Sequence, residues 1–114
     1  MSLKLVAVTA CISGVAHTYM AAERLEKLCL HEKWTIKVET QGALGIENAL
    51  SESDINQADI VLLITEIQLE NSERFAQSRC IQTGIQPFLR TPEKVMTTVK
   101  KMATSPQGTK IVLS

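Results

Sequence analysis

Four short runs of apolar residues, spaced along the chain, are separated by segments in which apolar residues recur every three or four positions. Leu3 to Thr9 is apolar except at Lys4 and rich in valine, which suits a central parallel strand buried on both faces. From about His17 to Glu32, Ala21, Leu25 and Leu28 recur at helical spacing while Glu23, Arg24, Glu26 and Lys27 supply a wet face, predicting the first helix. Trp34, Ile36 and Val38 then alternate with Thr35, Lys37 and Glu39 up to Thr40, the pattern of a half-covered strand. Gln41-Gly42 and Gly45 break the chain into a loop. Ser51-Glu52-Ser53-Asp54 offers cap residues and early acidic charge to a short helix running toward Ala58.

Ile60 to Ile64 is an uninterrupted apolar run, again the signature of a strand buried on both faces. A polar stretch with Glu70, Asn71, Ser72 and Glu73 follows, in which Glu73 to Gln77 predicts one or two helical turns, and Cys80 to Thr83 predicts a short strand. Thr91-Pro92-Glu93 marks a helix start, with Thr as cap and Pro at the first helical position. Val95, Val99 and Met102 form the buried stripe of that last helix.

Strand and helix alternate, so the expected fold is α/β: a doubly wound, mainly parallel four-stranded sheet with helices on both faces, Rossmann-like, with right-handed crossovers. Residues 1–114 read as a single domain, with a loosely attached tail from about residue 104 in which Ile111-Val112-Leu113 could dock. In such sheets ligands bind beyond the carboxyl ends of the strands, at a topological switch point. Cys11, just past the first strand, stands where that rule puts the site.

Length and composition narrow the partners. A chain of 114 residues with 45% apolar residues is enough for one core. Its 12 basic and 12 acidic residues leave no net basic field for nucleic acid or an anionic membrane surface. No apolar run approaches the roughly 18 residues of a membrane span, and the first residues lack signal-peptide order, so a cytoplasmic location is expected. Cys11, Cys29 and Cys80 have neither metal-like nor C-x-x-C spacing, which predicts reduced thiols, no metal and no cofactor.

A lone cysteine after a strand is more often packing than chemistry. Here Ser13 and Gly14 have small side chains that let backbone amides close around an anion, and a segment of good helix formers starts where that loop ends. Such a turn favours a thiolate over a thiol and a bound phosphate over water. The spacing compares with the phosphatase pattern of cysteine, five residues, then arginine, but the arginine position is His17. Arginine clamps a transferring phosphoryl group bidentately. Without it, a phosphocysteine is expected to form and to be poorly hydrolysed by the protein itself.

At these residues the chain resembles the IIB components of the fructose and fructose-like branch of the bacterial phosphoenolpyruvate-dependent sugar phosphotransferase system (PTS). The resemblance rests on Val8-Thr9-Ala10-Cys11 with Gly14 through Glu23, then on Val38-Glu39-Thr40-Gln41-Gly42, Gly45, Glu47-Asn48, Asp54-Ile55 and Ala58-Asp59. It covers residues 4 to 65 closely and Arg74-Phe75 more loosely. It implies that Cys11 accepts a phosphoryl group from a IIA domain and donates it to a sugar bound by the membrane-embedded IIC component, placing the protein at the inner membrane through IIC. The phosphate-binding loop then comprises Ile12, Ser13, Gly14, Val15, Ala16, His17 and Thr18. Ile12 stands where the family commonly has Pro, Glu66 where Asp is expected, and the last third matches weakly; these departures bear on the sugar and the partner contacts and leave the phosphoacceptor position unchanged.

Other readings stay open at this point. A phosphatase-like enzyme or thiol reductase sharing the loop is opposed by the missing Arg and the absence of a nearby resolving cysteine, and a regulatory phosphate-binding module would keep the loop without its transfer partners. His17 reads as a loop-stabilising residue rather than a second phosphoacceptor, since the thiolate holds the nucleophile's position. Thr18 reads equally as a donor to the phosphate or as a helix cap. Cys29 and Cys80 read as packing, and Glu39 and Gln41 either as neighbours of the site or as a solvated strand end.

Overall fold

The predicted strand runs assemble into one sheet in the computed structural model, which describes residues 3–10, 15–42, 45–65 and 72–113 and, for residues 15–17, 42 and 72, the backbone alone. In chain order the elements are β1 Lys4–Ala10, α1 Val15–Glu32, β2 Thr35–Gly42, β3 Gly45–Glu47, α2 Glu52–Gln57, β4 Ile60–Thr65, a 3-10 turn Ser72–Phe75, β5 Cys80–Thr83, α3 Ile85–Arg90, α4 Pro92–Met102 and β6 Lys110–Val112. The sheet order is β3-β2-β1-β4-β5-β6, and every neighbouring pair is parallel except β2 with β3. The chain leaves β1 for β2 on one side and returns to β4 on the other, so the winding reverses between β1 and β4.

The sheet has six strands where four were expected. Both additions are three-residue edge strands, too short for a periodic pattern to reveal. β3 folds back on the end of β2, pairing Thr40 with Glu47 and Gln41 with Ile46, and Gly45 at φ 89° supplies the left-handed backbone this return needs. The stretch expected to be a loop from Gln41 to Gly45 is therefore mostly strand; residues 43 and 44 lie outside the described residues.

β6 corrects the expectation of a loose tail. Thr109 O accepts from Cys80 N at 2.9 Å, and Leu113 N donates to Gln82 O at 2.7 Å. Arg79 Nε donates to Ser105 O, and the Lys110 ammonium donates to the carbonyls of Phe75, Ala76 and Ser78. Docking of Ile111 is thus fixed at both flanks and by a cation on the carbonyls that close the 3-10 turn.

Residues of opposite parity on the central strands feed two cores. Leu5, Ala7, Ile60, Leu62 and Ile64 meet Ala21, Leu25 and Cys29 of α1, Ile85 and Phe88 of α3, and Val95, Val99 and Met102 of α4. Val6, Val8, Val61 and Leu63 meet Leu50, Ile55 of α2 and Phe75. Helices on both faces, as expected, account for the apolar runs of β1 and β4.

The helix signals hold with local changes. Ser51 and Asp54 form a reciprocal capping box at α2, Ser51 Oγ accepting from Asp54 N at 3.0 Å and Asp54 Oδ2 from Ser51 N at 2.9 Å. Lys37 Nζ, 2.7 Å from the same carboxylate, is the main cause holding Asp54 down to about 2, helped by the Ser51 donors. α3 was not anticipated from the sequence: it is six residues long and carries Pro87, harmless in a first turn whose N–H groups have no helical partner anyway. Its presence alters the α4 start. Thr91 occupies the cap position, but its hydroxyl donates backwards to Pro87 O at 3.3 Å and makes no cap bond.

Candidate active site at the carboxyl end of the first strand

β1 ends at Ala10, flanked in register by Gln41 of β2 and Thr65 of β4. Cys11 is the next residue in the chain, and α1 begins at Val15. Cys11, Ile12, Ser13 and Gly14, with the side chains of Val15, Ala16 and His17, lie outside the described residues. What is described is the frame around them.

Thr18 is the fourth residue of α1 and is buried. A residue that far inside the helix does not cap it, so the capping alternative falls away. Its carbonyl accepts from Thr9 Oγ1 at 3.3 Å, tying the end of β1 to the first turn of α1. The Thr18 hydroxyl, and that of Thr40 in register with Thr9, are buried without a hydrogen-bond partner among the described residues. Buried hydroxyls without partners are costly and leave donor capacity beside the strand ends. Nearby, the Tyr19 hydroxyl donates to Glu47 Oε1, fastening α1 to β3.

Glu39 and Gln41 are both buried, so the solvated strand end is excluded. Glu39 Oε2 accepts from Arg74 Nη2 at 2.6 Å and from Gln41 Nε2 at 2.8 Å, and Oε1 accepts from Leu50 N at 2.9 Å. Burial alone would push this carboxyl up, but the bonds from Arg74, Gln41 and Leu50 and the guanidinium charge together hold it below its ordinary value. Arg74 also stacks on Phe75, 4.7 Å from the ring centroid. The alternation along β2 leaves Glu39 open between a neighbour of the site and a solvated strand end, and no local signal ties it to Arg74, 35 residues later.

Cys29 and Cys80 are free and buried. Burial, then the nearby Glu32 carboxylate, pushes the Cys29 thiol up to about 12. Burial also raises Cys80 against the opposing influence of Lys110. Both should be inert to iodoacetamide in the folded protein near neutral pH and reactive after unfolding. Peptide mapping by mass spectrometry checks this; modification of native Cys29 as fast as Cys11 would contradict its packing. Among the described residues no group of His, Cys, Asp and Glu converges as a metal site, and no helix is long and apolar enough to cross a membrane.

The fold is thus a doubly wound α/β domain in which Cys11 follows the strand at the switch point directly in sequence and a helix begins at Val15. The family description "PTS system, Lactose/Cellobiose specific IIB subunit" matches residues 6–98. The chain belongs to the IIB components of the phosphotransferase system, phosphotransferases of sugar uptake. It is 61% identical over 109 residues, 96% of either chain, to the PTS system fructose-like EIIB component 3 of Escherichia coli (strain K12). It is 39% identical over 94 residues to the PTS system fructose-specific EIIB'BC component of Rhodobacter capsulatus, covering 82% of this chain and 16% of that longer protein. The crystal structure of a predicted fructose-specific IIB from Escherichia coli superposes with TM-score 0.95 at 59% identity, covering 98% of this chain and 99% of the other.

Proposed function

We propose that Cys11 is the phosphoacceptor of a fructose-like IIB component, working in the cytoplasm as a single domain between a IIA donor and a sugar bound by membrane-embedded IIC. The observation that carries this is the place of Cys11 in the chain, directly after Ala10 at the β1/β4 switch point. The Cys11 thiolate attacks the phosphorus of a phosphohistidine on IIA; the S–P bond forms, the N–P bond breaks, and the imidazole nitrogen takes the leaving electron pair. A hydroxyl of the IIC-bound sugar then attacks the same phosphorus, the S–P bond breaks, the thiolate is restored and the hydroxyl proton passes to a base or to water.

The loop from Ile12 to Thr18 supplies backbone amides, the Ser13 hydroxyl and the start of α1 to the phosphoryl oxygens. The Thr18 hydroxyl, buried with no partner among the described residues, supports its role as a donor there. The relatives named as fructose-like or fructose-specific support a ketohexose of that kind over the disaccharides in the family description. The relative that joins B and C components in one chain supports IIC as the neighbour on the membrane side.

Cys11→Ser tests the assignment. Incubated with a phosphoenolpyruvate-driven relay ending in a fructose-branch IIA, the wild type should take up label and the variant should take up none. Equal labelling of the two would overturn the assignment of Cys11.

A further inference from the structure

The role of Cys11 leaves unused the pair of buried Glu39 and partly buried Arg74. Three separate pieces of chain converge on the Glu39 carboxylate: Gln41 from β2 itself, the Leu50 amide before α2, and Arg74 from the 3-10 turn after β4. The Arg74 guanidinium returns to Leu50 O at 3.5 Å. Glu39 is in register with Val8 and Gln41 with Ala10, so the pair lies about 7 Å short of the end of β1, at roughly 3.3 Å of rise per residue. The carboxylate therefore fastens two connections at the carboxyl end of the sheet and orients the side chain of Gln41 beside the residue that precedes Cys11.

Stability does not account for this arrangement. An apolar pair of the same volume generally serves a core as well as a buried ion pair does, and this pair leaves Arg74 Nε buried with no partner among the described residues. What a carboxylate with a planar guanidinium fork supplies, and an apolar pair does not, is fixed direction. We propose that Glu39 and Arg74 are positioning residues for phosphoryl transfer, holding Gln41 and the two connections so that the end of β1 presents Cys11 in its reactive geometry. This rests on Cys11 being the phosphoacceptor.

The test separates folding from transfer. In the double variant Glu39→Gln/Arg74→Met, Gln retains a carbonyl oxygen for Leu50 N and Met fills the arginine stem, so the thermal midpoint should stay near that of the wild type. Phosphorylation by phospho-IIA should nevertheless slow by about ten-fold or more in kcat, with KM for phospho-IIA unchanged, because misplacement of a reacting group acts on the chemical step. A folded double variant that transfers at the wild-type rate overturns the proposal. Should that variant not fold, Arg74→Lys decides, since it keeps the charge and loses the fork: a slowed kcat supports positioning and a wild-type kcat overturns it. Cys11→Ser, assayed in parallel, keeps the two claims apart. Label surviving in Cys11→Ser defeats the phosphoacceptor reading itself, whereas label lost there with wild-type transfer in the double variant defeats only the role of the pair.

Discussion

Arg74→Met, with Glu39 left in place, is expected to destabilise the fold by about 3 kcal/mol at neutral pH, the lower end of what removing one partner of a buried ion pair costs. The lower end applies because the Arg74 side chain is 23% exposed while that of Glu39 is fully buried. Against a total stability of about 5–15 kcal/mol for a domain of this kind, such a loss removes a large part of the margin. The cost is the stranded carboxylate more than the lost attraction. Gln41 and Leu50 still donate to it, but Arg74, its charged donor among the described residues, has gone.

The pH dependence gives the prediction its signature. In the wild type, Glu39 in the folded state titrates below its ordinary value of 4.5. Its contribution is therefore present above that value and is lost as pH falls through the folded one. In Arg74→Met, burial prevails and lifts the carboxyl, so the folded state takes up a proton more readily than the unfolded chain does. The gap between the two proteins should accordingly widen from acidic to neutral pH. Urea unfolding of both proteins at pH values on either side of 4.5 reads this directly. A loss below about 1 kcal/mol at neutral pH, the range of exposed pairs, would show the bridge to be energetically superficial.

That pair also marks where the sequence stops being legible. The strands β1 and β4 were readable because both faces are covered and their residues are accordingly apolar throughout. The first and last helices were readable from their apolar spacing. Glu39 was not, because alternation in β2 does not distinguish a neighbour of the site from a solvated strand end, and its partner is a cation that the fold brings from beyond β4 in the chain. β3 and β6 escaped for a different reason: each holds three residues in place by pairing with a longer strand, and nothing in three residues announces a partner. α3 escaped because six residues are too few to show a periodic stripe; Gly84 is the residue before the helix and Pro87 sits in its first turn. That Thr18 lies inside α1 and does not cap it could be told only when the helix start was known. Cys11, by contrast, was singled out by consecutive residues, a strand, small residues and helix formers, together with the resemblance to IIB components, and its role as phosphoacceptor is what Cys11→Ser tests.

The phosphocysteine on the isolated protein is expected to persist. Counting from Cys11 through Ile12, Ser13, Gly14, Val15 and Ala16 brings the chain to His17, where a phosphatase loop places the arginine that stabilises attack by water. One preorganised electrostatic contact of that kind is worth about 10²–10³ in rate, so spontaneous decay should be slower by about that order than in a loop that holds the arginine. Persistence is what a carrier requires, since it must hold the phosphoryl group until it meets IIC, whereas a hydrolytic enzyme must lose it quickly. The measurement is decay of purified labelled protein alone, decay after adding membranes that contain a fructose-branch IIC together with fructose, and turnover of an aryl phosphate by the free protein. Slow decay alone, rapid discharge with IIC and sugar, and negligible aryl phosphate turnover are the expected results. Rapid decay of the isolated phosphoprotein accompanied by robust aryl phosphate turnover would overturn the carrier reading and make the loop a phosphatase loop without its arginine.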